Sequence, residues 1–119
     1  MIPMREPTYF VLVSLLDGPL HGYAIIKRAE AASHGRVRLA TGTLYTALDR
    51  LTAEGYVTLI GQEIVNGRTR RSYGLTETGA AALHAEAARM AEAARLVTDA
   101  PAAKRPASPR VATRTVRPA

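Results

Sequence analysis

"TGTLYTALDRLTAEGYV", residues 41–57, decides how this chain folds. Leu44, Ala47, Leu48 and Leu51 recur at the three-and-four spacing that puts side chains on one face of an α-helix. Thr41 stands where a capping hydroxyl is wanted, and Gly55 stands where a helix stops in a left-handed turn. Thr43, Tyr45, Thr46, Asp49 and Arg50 are left on the other face. The greasy side serves a core. The polar side needs another explanation.

Toward the N-terminus two more helices are expected. Thr8 is placed to cap the first, which would bury Tyr9, Leu12, Val13 and Leu16 and end at Asp17-Gly18-Pro19. The second is expected over residues 20–32, burying some of Leu20, Tyr23, Ile26 and Ala29 and closing at Ser33-His34-Gly35. Residues 36–40, "RVRLA", read as a short connection with room for a one-bridge strand.

Toward the C-terminus the period changes from helical to alternating. "YVTLIGQEIV" leads into Asn66-Gly67, a strong hairpin signal, and "RTRRSYGL" returns with Tyr73 and Leu75 on one side. Thr76 is placed to cap a last helix. On it Ala80, Leu83, Ala87, Met90, Ala94 and Val97 form a seam at alternating three- and four-residue steps, the pattern of a coiled coil. Beyond Pro101 come prolines, alanines and isolated arginines without periodicity, the composition of a disordered tail.

Three helices, a hairpin and a long helix make a mainly α fold with a small β-hairpin. This is the order of a winged helix-turn-helix followed by a dimerisation helix. The expected division is a winged helix-turn-helix domain over 1–75, a C-terminal dimerisation helix over 76–98 and a disordered, basic, Pro/Ala-rich tail over 99–119.

Composition narrows the function. A chain of 119 residues, 47% hydrophobic and 22% charged, fits one globular domain. It holds no cysteine, so a disulfide framework and a thiolate metal site are both excluded. The apolar run at residues 9–16 is short and lacks a cleavage motif, and no segment approaches the roughly 20 apolar residues of a membrane span. A soluble, cytoplasmic protein without membrane contact is therefore expected. The net charge of +6 comes mostly from the tail, where Lys104, Arg105, Arg110, Arg114 and Arg117 stand without an acid. The basic balance by itself thus says nothing about the folded part.

Three stretches, "LLDGPLHGYAIIKR", "GTLYTALDRLTAEGYV" and "NGRTRRSYGLTETG", resemble in order and spacing the PadR-type transcriptional regulators, in particular the short subgroup with one C-terminal helix. The resemblance covers about residues 5–97. It implies a homodimer that binds a roughly palindromic operator, usually represses transcription and in many cases releases DNA when a small molecule or stress signal arrives. Thr43-Leu44-Tyr45 falls at the start of the family's recognition helix and "GRTRRSY" on its wing, whereas Thr46 replaces a frequent proline.

The expected DNA face is accordingly Thr41, Thr43, Leu44, Tyr45, Thr46 and Arg50 of the third helix with Arg68, Arg70 and Arg71 of the wing. Threonine hydroxyls and methyls suit base edges and phosphates, and arginines suit phosphates or a narrow minor groove. Alternation puts Arg68 and Arg70 on one side of the strand and Arg71 on the other. Lys27, Arg28, Arg36 and Arg38 are further backbone contacts by charge, and Asp49 either pairs with Arg50 or reads a cytosine amino group. The dimer contact is expected through Leu83, Ala87, Met90, Ala94 and Val97, with the first helix contributing. Tyr23 and Tyr73 are expected in the core.

Threonines at a helix start also serve as plain caps, and charged hairpins keep sheet edges soluble. Only their joint placement argues for DNA. His21, His34 and His84 form no metal-ligand pair, and no nucleophile, base and orienter set is present, so neither a catalytic site, a metal nor a cofactor is expected. With one Phe and no Trp, an aromatic drug-stacking pocket in the dimer interface is not expected, and Tyr9, Phe10 and Met90 leave room only for something small. The rival readings are a winged-helix module that binds protein and a nonspecific nucleic-acid binder driven by the basic tail.

Overall fold

A computed structural model describes residues 4–101. The elements are α1 (Glu6–Ser14), β1 (Leu20–His21), α2 (Gly22–Ala32), α3 (Thr41–Ala53), β2 (Val57–Val65), β3 (Arg68–Leu75) and α4 (Glu77–Thr98). The strands form one antiparallel sheet in the order β1-β3-β2. Four helices with this small sheet make the expected winged helix-turn-helix. The chain forms one compact unit up to Ala87 and a second from Ala88 onward, so the first unit includes the opening turns of α4. The tail beyond Pro101 lies outside the described residues.

The core is centred on α3. Leu44, Leu48 and Leu51 are fully buried and pack with Val11, Leu12, Leu15, Ile25, Val57, Tyr73 and Leu83. Each such leucine contributes roughly 1.5–3 kcal/mol relative to an exposed one, so this face fixes the helix in the unit. Gly55 ends α3 as its position predicts. Its φ of 81° lets the chain turn, and the Tyr56 N–H then donates to the Leu51 carbonyl at 2.9 Å.

The hairpin and the last cap also follow the sequence. Asn66 and Gly67 take φ values of 53° and 77°, the left-handed pair a two-residue hairpin turn requires. Thr76 accepts a hydrogen bond from the Gly79 N–H at 2.9 Å and donates to the Gly55 carbonyl at 2.6 Å. One hydroxyl therefore caps α4 and ties it to the end of α3. Gly79 is buried against the Tyr56 carbonyl, where a Cβ would collide with backbone.

Other local expectations are corrected. Helix α1 starts at Glu6 after Arg5, with Pro7 in its first turn, and is not capped by Thr8. It buries Val11 and Leu12, with Leu15 buried just past its end and Tyr9 and Val13 half-buried against the core, whereas Leu16 is 50% exposed. Helix α2 begins at Gly22 because Leu20 and His21 pair with Tyr73 and Ser72 as a short strand. It buries Ile25 and Ala29, whereas Tyr23 is 67% exposed. Residues 36–40 contain no strand, although Val37 is buried. The cap position of α3 is Ala40, with no side-chain hydrogen bond, and Thr41 is the first helical residue.

Candidate nucleic-acid interface

Because Leu44, Leu48 and Leu51 face the core, helix geometry turns Thr43, Thr46, Asp49 and Arg50 outward, and all four are exposed. Leu44 lies beneath this surface with no accessible area and has no means of touching DNA, which corrects its place in the expected contact set. Arg50 is drawn back toward α1. Its guanidinium donates to the Thr8 hydroxyl at 2.9 Å and lies 4.0 Å from the Glu54 carboxylate. Asp49 therefore does not pair with Arg50.

The wing stands beside the start of α3. An open cleft of about 400 Å³ lies between them, with Thr41 and Tyr45 on one wall and Arg68, Thr69 and Arg70 on the other. Two groups of residues far apart in sequence thus line one concavity. Its remaining wall comes from β1 and the start of α2, including His21, Gly22, Tyr23 and Ile26.

Tyr45 is half-buried, and its ring lies tilted against that of Tyr73 at a centroid separation of 6.4 Å. Its hydroxyl end rests on Gly22, where an added Cβ would clash with it. Gly22 is the residue that sequence reasoning missed here. "HGY" stands inside one of the quoted motifs, yet its glycine makes sense only once Tyr45 is seen lying across it. Tyr73, buried under the same junction, has its phenol pKa raised above 10.0. Burial is the main cause; Asp49 and Tyr45 add to it, and Arg71 opposes it.

The pairing register puts Arg68 opposite Val65, Arg70 opposite Glu63 and Arg71 opposite Gln62. Arg68 and Arg70 share one face and Arg71 takes the other, as alternation predicts. Arg70 lies 3.4 Å from the Glu63 carboxylate, and Arg71 donates to the Gln62 side-chain oxygen at 3.2 Å. Both remain exposed, and both partners are surface groups that a phosphate can displace.

The other cations are likewise engaged at the surface. Arg28 pairs with Asp17 at 3.1 Å, Arg36 with Glu6 at 2.8 Å, and Arg38 lies 3.9 Å from Glu30. Lys27 sits over the Tyr23 ring, 5.9 Å from its centroid. Among the described residues, no group of three or more acidic or histidine side chains is placed to hold a metal ion.

The seam on α4 divides. Leu83 is buried in the core of its own unit and Ala87 is half-buried. Met90, Ala94 and Val97 are exposed, with Met90 at 37% and Val97 at 77%. Tyr9 and Phe10 pack edge to face on each other, their centroids 5.3 Å apart.

The model of the "Transcriptional regulator PadR-like family" matches residues 11–85. Over 87 residues the chain is 38% identical to "Transcriptional regulator Rv3488" of Mycobacterium tuberculosis, covering 73% of this chain and 78% of that protein. Among solved structures it is similar to Bacillus subtilis PadR in complex with operator DNA, at 28% identity and a TM-score of 0.59, covering 67% of this chain and 45% of that one. A PadR family transcription regulator from Clostridium difficile R20291 shares the fold, with a TM-score of 0.66 at 20% identity, over 80% of this chain and 97% of that one.

Proposed function

Because the chain belongs to the PadR-like family of transcriptional regulators, we propose that it is a homodimeric repressor that binds a palindromic operator through α3 and the wing. The carrying observation is the shared cleft, with Thr41 and Tyr45 of α3 facing Arg68 and Arg70 of β3. A phosphate backbone entering it meets guanidinium groups from the wing, while Thr43 and Thr46 on the exposed face of α3 meet base edges. The Bacillus subtilis PadR structure with operator DNA supports a DNA partner.

Dimerisation is supported by α4. Met90 and Val97, seven residues apart and therefore on one face, are exposed apolar side chains that a second copy would cover. With Leu83 committed to the core, the proposed seam is Ala87, Met90, Ala94 and Val97. Two-fold symmetry then requires two half-sites about 34–36 Å apart, or a multiple of that. Release of DNA by a small-molecule effector and a cytoplasmic location complete the proposal. No described helix is long and apolar enough to cross a membrane.

Selection of bound fragments from the source genome with purified protein tests this reading. The expected product is an inverted repeat bound by a dimer. With about six phosphates contacted, affinity should fall with salt at a log–log slope near −5. A flat salt response favours the protein-binding module. Loss of duplex binding on removal of residues 101–119 favours the nonspecific, tail-driven binder.

A further inference from the structure

The face of the wing that carries Arg68 and Arg70 continues onto a neighbouring strand. β1 pairs with β3 so that His21 stands opposite Ser72. Residues directly opposite in an antiparallel ladder project to the same face, and that face returns at every second residue along a strand. His21 therefore shares its face with Ser72, Arg70 and Arg68. His21, Arg70 and Arg68 all line the cleft between wing and α3. His21 is half-buried, and among the described residues its side chain makes no hydrogen bond or ion pair with protein.

The titratable and charged groups around it come from each neighbouring element. They are Tyr23 of α2, Tyr45 of α3, Arg68 and Arg70 of β3, and Glu63 of β2, which stands opposite Arg70. Glu63 is the one anion in this set, and Arg70 already engages it at 3.4 Å. A proton on His21 thus adds to a positive wall and lacks an acid of its own. A phosphate entering the cleft supplies one.

On the reading that this cleft receives DNA, we propose that His21 is a proton-switched phosphate contact, a third cation in the row of Arg68 and Arg70 when it is protonated. Histidine changes charge between about pH 5 and 8, where arginine does not. A phosphate beside the ring favours its charged form, so DNA binding takes up a proton. Affinity then declines as pH rises through that range. A regulator built this way reads acidification directly at its DNA surface.

The test uses the full-length chain and the duplex recovered by genomic selection. Affinity is measured across a salt series at about pH 6 and about pH 8, the two sides of the histidine range. The log–log slope should be steeper at the lower pH by about 0.9 for each protomer, one additional phosphate neutralised. His21→Gln should remove the difference between the two slopes. Calorimetry in buffers of different ionisation heat should show proton uptake on binding by the wild type and none by His21→Gln.

Equal wild-type slopes at both pH values overturn the proposal without any variant having to fold. Proton uptake that persists in His21→Gln also overturns it, because the protons then belong to His34 or His84. Absence of salt-dependent duplex binding at either pH overturns the DNA-binding reading together with this one, which tells the two failures apart.

Discussion

The two walls of the cleft are built by opposite means. Helix α3 is held by three leucines with no accessible surface, and its exposed residues are positioned as a consequence of that burial. From Thr58 to Arg71 the wing is exposed at every residue except half-buried Val65. It is held by the strand ladder, the Asn66-Gly67 turn and surface pairs such as Arg70 with Glu63. A helix anchored in the core has one available position, which suits reading of bases. A hairpin held by backbone hydrogen bonds can adjust at low cost, which suits gripping of phosphates. On the proposed function, selectivity belongs to α3 and general affinity to the wing.

The strongest attack on this contrast is Leu48→Ala. Removing a fully buried leucine beneath α3 should cost about 2–5 kcal/mol in chemical denaturation. A cost below about 1 kcal/mol would mean that the helix is not anchored by its buried face. The corresponding change in the wing is Gly67→Ala, which forces a Cβ into the left-handed turn and should cost about 1–2 kcal/mol. It should weaken binding to every duplex alike, and a change in sequence preference would contradict the division of labour.

Thr46→Ala probes the reading surface. Discrimination at one operator position should drop by about 1 kcal/mol or more, measured by competition between single-base variants. Uniform weakening across variants would move Thr46 from base reading to backbone contact. Glu63→Gln should alter stability by no more than about 1 kcal/mol, because the pair with Arg70 is at the surface. It should tighten binding to all duplexes by freeing Arg70, and unchanged affinity would show that the pair does not compete with DNA.

The smallest effect lies at the junction of the two walls. Burial raises the Tyr73 pKa, so its contribution to stability is fully present below the ordinary value of 10.0 and is lost as pH rises through the higher folded-state value. Tyr73→Phe should flatten the stability curve in that alkaline range. A curve that declines as steeply in the variant would assign the loss to other groups.

What could be read from the chain and what could not separates by range in sequence. The turn at Asn66-Gly67, the stop at Gly55 and the cap at Thr76 depend on residues within a few positions, and each formed as read. The burial of Leu44, Leu48 and Leu51 was equally legible, because one helix period contains the pattern. The faces of α1 and α2 were read less well. Both carry more apolar residues than one face can bury, and only packing selects among them. It chose Leu15 over Leu16 and Ile25 over Tyr23.

The candidate site divides the same way. Arg68, Arg70 and Tyr45 were legible as residue types in a recognisable order. The redirection of Arg50 to Thr8 was not, since the two are 42 residues apart. Nor was strand β1, a two-residue segment that exists only because β3 offers it an edge.

The order of residues alone therefore determined the kind of element at almost every position, because propensity, period and turn chemistry act locally. Tertiary structure decided which groups come together: His21 and Arg70 on one cleft, Tyr45 across Gly22, Leu83 inside the core of its own unit. Those relations depend on contacts closed across tens of residues, and no local pattern encodes which of several equivalent partners will be within reach.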